Sequence, residues 1–300
     1  MMIFDLSFLD LELEAARTGA VPSQLLTHPT FDAIARHEAA LPNRPVWDED
    51  SFRARFAAAA AGDTLDYHDW GLAPLFQDRD RLAQWRSWME DEAETLTGQI
   101  DQWLARFTSV LQHPELRCIP YVGSYDAGFS LGAGDTAIYL NLPVFSCREA
   151  FLQTLIHESF HARLTSPEVT QLLRGMEADP DPIVQLLYYT AEEGIAHIVG
   201  YGGKTSTQYP TIPIRPAQEG AAELKDLLTR FHAGQISGQE ALEAFVQTDC
   251  CYSGGGFIAH SVWQALGRDG LDLWSAKGDW KGYYAAFRAT PQGADWPAVL

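Results

Sequence analysis

The pentad His157-Glu158-Ser159-Phe160-His161 constrains this chain more than any other stretch, because it can do chemistry in essentially one backbone conformation. Residues i and i+4 of an α-helix stand one above the other, about 5–6 Å apart at Cβ, so a helix aims both imidazoles at one ion. Zinc takes imidazole nitrogen at about 2.0–2.1 Å, within reach of such a pair. Glu158 then stands beside the open coordination position, where it can take a proton from an attacking water and pass it to a leaving group. With 9 His in 300 residues, His-Glu-x-x-His arises by chance in roughly one or two chains per hundred, so its surroundings have to support the reading.

Ser146 followed by Glu149 reads as a capping box that opens a helix over residues 146–164. Ala150-Phe151-Leu152-Gln153-Thr154-Leu155-Ile156 is apolar around most of that helix, which marks a buried element. Two histidines and a glutamate buried there without a partner would be costly. A second helix follows, with Asp181 as N-cap, Pro182 at its first position and Gly202-Gly203 past its end. Its apolar residues are Ile183, Leu186, Leu187, Ala191, Ile195 and Ile198, and it also carries Glu192, Glu193 and His197.

A hydrolytic zinc site needs three protein ligands and a position for water. Ala162, Arg163, Leu164 and Pro167 lack the glycine and third histidine of the extended metzincin motif, so the third ligand lies elsewhere. Glu193, Ala196, His197 and Gly200 share one helical face, and the small Ala196 and Gly200 allow a close approach to the pentad helix. Glu193 is therefore the expected third ligand. Glu192 is the second choice, and otherwise an ordinary solvated carboxylate. His197 is expected to pack or hydrogen-bond beside the ligands rather than to be one.

These residues resemble the gluzincin metallopeptidases, in which two histidines and a glutamate on one helix are joined by a glutamate from a later helix. The likeness spans residues 115–265. Glu193-Gly194-Ile195-Ala196 matches the Glu-x-x-Ala form of the third-ligand helix and is similar to zinc-dependent peptidases carrying Glu-Gly-x-Ala. The resemblance implies a zinc metallopeptidase with one Zn²⁺ per chain on His157, His161 and Glu193, and Glu158 as general base. It also implies a zincin-like α+β fold, predominantly helical, with a small mixed or antiparallel sheet packed on the pentad helix. Some gluzincin families place Asp after that Ala to orient a ligand histidine, whereas His197 stands there in this chain.

Composition agrees with an enzyme acting on peptides or small amides. A net charge of −19 repels nucleic acid, and no run of Lys and Arg interrupts it. A hydrophobic content of 46% suffices for a sizeable core. Asp10, Glu12 and Glu14 fall where an export signal needs an uninterrupted apolar core, and no uncharged run reaches the length of about 20 residues that spans a membrane. Cys118, Cys147, Cys250 and Cys251 lack C-x-x-C spacing and read as reduced thiols, so a cytoplasmic location is expected.

Three regions are expected: a helical one over residues 1–114, a catalytic core over 115–203 and a helical region completing the cleft over 204–300. The first holds helices at 31–40 and 48–61 and a long one at 78–111. In the long one Leu82, Trp85, Met89, Leu96, Ile100, Trp103, Leu104, Phe107 and Leu111 recur at three- and four-residue steps. Strands are expected at 116–122, 127–131 and 136–142, with Gly132-Ala133-Gly134-Asp135 turning between the last two. Ala137-Ile138-Tyr139-Leu140-Asn141 is the candidate edge strand for binding extended substrate by main-chain hydrogen bonds. Residues 204–216, with Pro210, Pro213 and Pro216, read as a loop, followed by helices at 217–232 and 239–246. Gly254-Gly255-Gly256 reads as a loop of close backbone approach just before a further helix.

A peptidase must also stabilise the oxyanion formed on the scissile carbonyl, for which Tyr252 is the first candidate, His260 the second and Tyr201 the third. A non-peptide amide hydrolase would use the same groups. A zincin-like binding or regulatory protein without turnover would be marked by loss of Glu158 or of a histidine, and both are retained.

Overall fold

The computed structural model describes residues 2–41, 44, 46–63, 70–110, 115–124, 126–131, 136–163, 166–178, 180–209 and 212–298. It divides into two compact units, Met1–Gly98 with Pro114–Leu155, and Gln99–His113 with Ile156–Leu300.

The first unit opens with strand β1 (Met2–Phe4) and helices α1 (Ser7–Thr18), α2 (Ser23–Leu26), α3 (Pro29–Ala40), α4 (Glu49–Ala61) and α5 (Pro74–Gln77). Local chemistry sets the helix ends. His28 accepts from the Thr30 N–H at the start of α3, Asp48 accepts from the Ser51 N–H at the start of α4, and Gly62 closes α4 in a left-handed conformation. Helix α6 (Arg79–Leu104) supplies Leu82, Trp85, Met89 and Leu96 to the core of this unit. Trp85 and Trp88 close on Phe151, with ring centroids 5.3 and 5.6 Å away. The long helix is the amphipathic element its spacing predicts, but it ends at Leu104 rather than running on to 111: Phe107 lies in a turn beyond it, and Leu111 lies outside the described residues.

The sheet combines β2 (Leu116–Tyr121), β3 (Gly128–Ser130) and β4 (Ala137–Asn141) with β1 in the order β1-β2-β4-β3. The turn expected at 132–135 lies outside the described residues. One sequence expectation is corrected here. Ala137–Asn141 is not an edge strand, because β4 pairs with β2 on one side and β3 on the other. The sheet is mixed, one of the two forms expected: β1–β2 and β2–β4 are parallel and β3–β4 is antiparallel. The cause of the correction is that β4 enters between β2 and β3 instead of adding on the outer side of β3. All five of its residues are buried, as befits a strand covered on both faces. Thr154, on helix α7 (Arg148–Arg163), lies above this sheet, within 3.4 Å of where a Cβ on Gly128 would sit. The fold is α+β, mostly helical, with a small mixed sheet.

The second unit contains the ends of α6 and α7, then α8 (Pro167–Ala178), α9 (Pro182–Gly200), a short hairpin of β5 (Gln208–Tyr209) and β6 (Ile212–Pro213), and α10 (Ala217–His232). It finishes with α11 (Gly238–Val246), α12 (Ser253–Leu266), α13 (Arg268–Ser275) and α14 (Trp280–Arg288). Asp181 caps α9 by accepting from the Ile183 and Val184 N–H groups, and Gly202 and Gly203 follow its end with φ of 71° and 85°. Helix α9 is apolar on nearly every side and accordingly buried. The glycines at 254–256 do not form a loop: they are the first turn of α12, set against α9 and α10. A Cβ on Gly194 would lie 2.2 Å from the Gly255 carbonyl carbon, and one on Gly254 2.8 Å from the Gly220 oxygen. Backbone touches backbone at both contacts, so only glycine fits.

Candidate metal centre

Helix α7 begins at Arg148, with the Cys147 carbonyl accepting from the Phe151 N–H, one residue later than a Ser146 cap implies. It carries His157 and His161 on one face, and α9 brings Glu193 to them. Within the second unit the His157 and His161 Nε2 atoms are 3.0 Å apart, and Glu193 Oε2 lies 3.4 Å from each. A tetrahedral ion with bonds of about 2.0–2.1 Å spaces its ligands by about 3.3–3.4 Å, so the three atoms outline one face of such a tetrahedron.

The electrostatics fit an ion at that face. Glu193 Oε2 is buried and makes no well-formed hydrogen bond. Burial by itself would push the Glu193 carboxyl up, but the charge of His161 and the contacts with both imidazoles hold it well below the usual carboxylate range. Burial likewise opposes a charged His161, and Glu193 and Glu192 together lift that imidazole well above its ordinary value. A buried carboxylate oxygen that makes no well-formed hydrogen bond, facing two imidazole nitrogens, is a donor set suited to zinc.

Glu158, between the two histidines in sequence, is 5% exposed, so the pentad's carboxylate is buried alongside His157. Glu192 is not the solvated carboxylate its adjacency to Glu193 suggests: its Oε1 lies 3.3 Å from His161 Nδ1. Consecutive residues on a helix point about 100° apart, so both glutamates can reach one ring. His197 is buried and accepts at Nε2 from the Ser206 N–H at 3.2 Å. Burial, reinforced by the nearby His157, lowers its pKa to about 4, so it stays neutral at physiological pH.

Tyr252 stands beside His157, with ring centroids 6.3 Å apart. The close packing of α9 on α12 brings it there, since Tyr252 stands at the start of α12, two residues before Gly254. His260 donates from Nδ1 to the Gly203 carbonyl at 2.8 Å, and Tyr201 packs on His197 at 4.9 Å between centroids. Two tyrosines that sequence reasoning passed over also belong to the surroundings. Burial, then the charge of Glu192, raises the phenol pKa of both Tyr188 and Tyr189. Their spacing of three to five residues from Glu192 and Glu193 on α9 was the available signal. Cys251 is near enough for the Glu193 charge to add to burial in pushing its thiol up, which keeps it protonated. All four cysteines are free.

A second group of ligand-type residues, His37, Glu38 and Asp126, lies in the first unit. Arg44 donates to Asp126 at 2.9 Å and already supplies positive charge there, so this group is an ion-pair network. Among the described residues no helix is long and apolar enough to cross a membrane.

No curated protein and no solved structure matches the chain. Residues 31–273, which include every residue of the candidate centre, match the family described as "Putative zinc dependent peptidase (DUF5700)", and the chain belongs to that family.

Proposed function

We propose that the chain is a gluzincin-type metallopeptidase in which His157, His161 and Glu193 hold one Zn²⁺ and Glu158 is the general base. The observation that carries this reading is the triangle of two Nε2 atoms and the buried Glu193 Oε2, which makes no well-formed hydrogen bond, with sides of 3.0, 3.4 and 3.4 Å. Zinc bound there would supply Lewis-acid polarisation of the substrate carbonyl and acidify an attacking water.

The chain's own residues supply the rest. Glu158 accepts the proton of the attacking water and returns it to the departing amine, so one carboxyl serves as base and then as acid. Tyr252 is the first candidate to donate a hydrogen bond to the oxyanion, because its ring stands beside His157. His260 comes second, since its Nδ1 is engaged with Gly203. A zincin-like arrangement of sheet and pentad helix and a cytoplasmic location belong to the same proposal. Hydrolysis of a non-peptide amide would use the same groups.

Metal analysis of the purified chain tests the site: about one zinc per wild-type chain and a large loss in His157→Ala are expected, whereas equal, negligible zinc in both would sink it. Glu158→Gln is expected to keep the zinc and to lose about a thousandfold or more of peptide-hydrolysing kcat. A Glu158→Gln protein with near-normal turnover on a peptide library would remove Glu158 from the mechanism.

A further inference from the structure

We infer that Glu192 is the positioning residue of the metal centre: its carboxylate holds Nδ1 of His161 and so turns Nε2 of that ring toward His157 and Glu193. The inference rests on the metallopeptidase reading of the site. Its basis is the way the two nitrogens of one ring are divided. Nδ1 lies 3.3 Å from Glu192 Oε1, while Nε2 lies 3.0 Å from His157 Nε2 and 3.4 Å from Glu193 Oε2.

An ionised carboxylate accepts hydrogen bonds and cannot donate them, so the pair requires the proton of His161 to be on Nδ1. In the neutral ring that leaves the Nε2 lone pair facing the other two ligand atoms. Glu192 is therefore not the third ligand, because an ion at Nε2 lies across the ring from Oε1. Its side chain is 17% exposed, so water screens the contact only in part. His197, one turn after Glu193, hydrogen-bonds at Nε2 to the Ser206 N–H, while it is Glu192, the residue just before Glu193, that meets His161 Nδ1. A carboxylate on the far nitrogen fixes tautomer and ring orientation and makes the imidazole a more basic ligand, and loss of such a partner typically costs about 10–100-fold in metal affinity.

The test uses the full chain as wild type, Glu192→Ala, Glu192→Gln and Glu193→Ala. Zinc affinity is measured by competition with a chromophoric chelator, and the ring N–H of His161 is followed by ¹H–¹⁵N NMR in the zinc-loaded protein. Glu192→Ala is expected to weaken zinc about 10–100-fold and to abolish the slowly exchanging Nδ1–H signal. Glu192→Gln keeps an acceptor oxygen at the same place. It should recover most of the affinity and retain the signal, moved upfield by the weaker neutral acceptor. Glu193→Ala should lose more affinity than either. Zinc affinity within twofold of wild type in Glu192→Ala, or an unmoved signal in Glu192→Gln if the alanine variant does not fold, overturns the assignment. Wild-type protein that takes up no zinc overturns the metal site itself, and the two failures are read from different samples.

Discussion

Among the described residues, Glu12 has neither solvent nor a cation to carry its charge. It is fully buried on α1; its Oε2 accepts from the Val122 N–H at 2.9 Å, and its Oε1 has no hydrogen-bond partner among the described residues. Burial raises its pKa well above the ordinary value, with the Val122 hydrogen bond opposing. For an acid whose folded pKa exceeds its unfolded one, the folded state binds the proton more tightly. Its contribution to stability is then fully present below the unfolded pKa, near 4.3, and is lost as pH rises toward the folded value. Glu12→Gln keeps an oxygen for Val122 and cannot ionise. Unfolding in urea should show the variant matching wild type near pH 4 and exceeding it increasingly as pH rises to 8, and parallel pH profiles would refute the assignment. None of this was legible in the sequence, where Glu12 alternates with other acids and reads as part of a solvated helix face. By contrast, His157, Glu158 and His161 were legible because their chemistry is contained within five residues.

At the scale of elements, the Glu-Gly-x-Ala segment acquires a physical reason. A glycine follows Glu193 because α12 presses its own Gly255 against that point, and the same contact delivers Tyr252 to His157. Gly194→Ala is expected to destabilise the protein by about 3 kcal/mol or more, since the added methyl meets backbone that cannot turn aside. Gly175, in α8, has open space where its Cβ would be, so Gly175→Ala should stabilise by about 0.5–1 kcal/mol through helix propensity alone. Chemical denaturation of the two variants should therefore give shifts of opposite sign, and equal shifts would refute the packing account. The helix starts at Asp48 and Asp181 were readable because a cap is a local hydrogen bond. The order of the strands was not. Ala137–Asn141 carries an apolar run consistent with a central strand, but the partners on its two sides come from residues 116–121 and 128–130.

For the whole molecule, any ligand that binds the folded chain alone raises its stability by mass action. Zinc at about a hundred times its dissociation constant should add about 2.7 kcal/mol, or about 5 °C in Tm, and a chelator should reverse it. His157→Ala should melt at one temperature with or without zinc; a zinc-dependent rise in that variant equal to the wild type's would place the ion elsewhere. The sequence by itself determined the acidic composition, the ends of several helices and the pentad, and marked Glu193 as the pentad's expected partner, because each is expressed in local spacing or in the chemistry of a few neighbouring side chains. Only the tertiary structure decided that β4 is central, that the glycines at 254–256 belong to a helix, and that Glu192 faces Nδ1 of His161. The physical reason is the same in each case: which partner a strand, a glycine or a carboxylate meets depends on residues 8 to 61 positions away in the chain, and no local pattern records that distance.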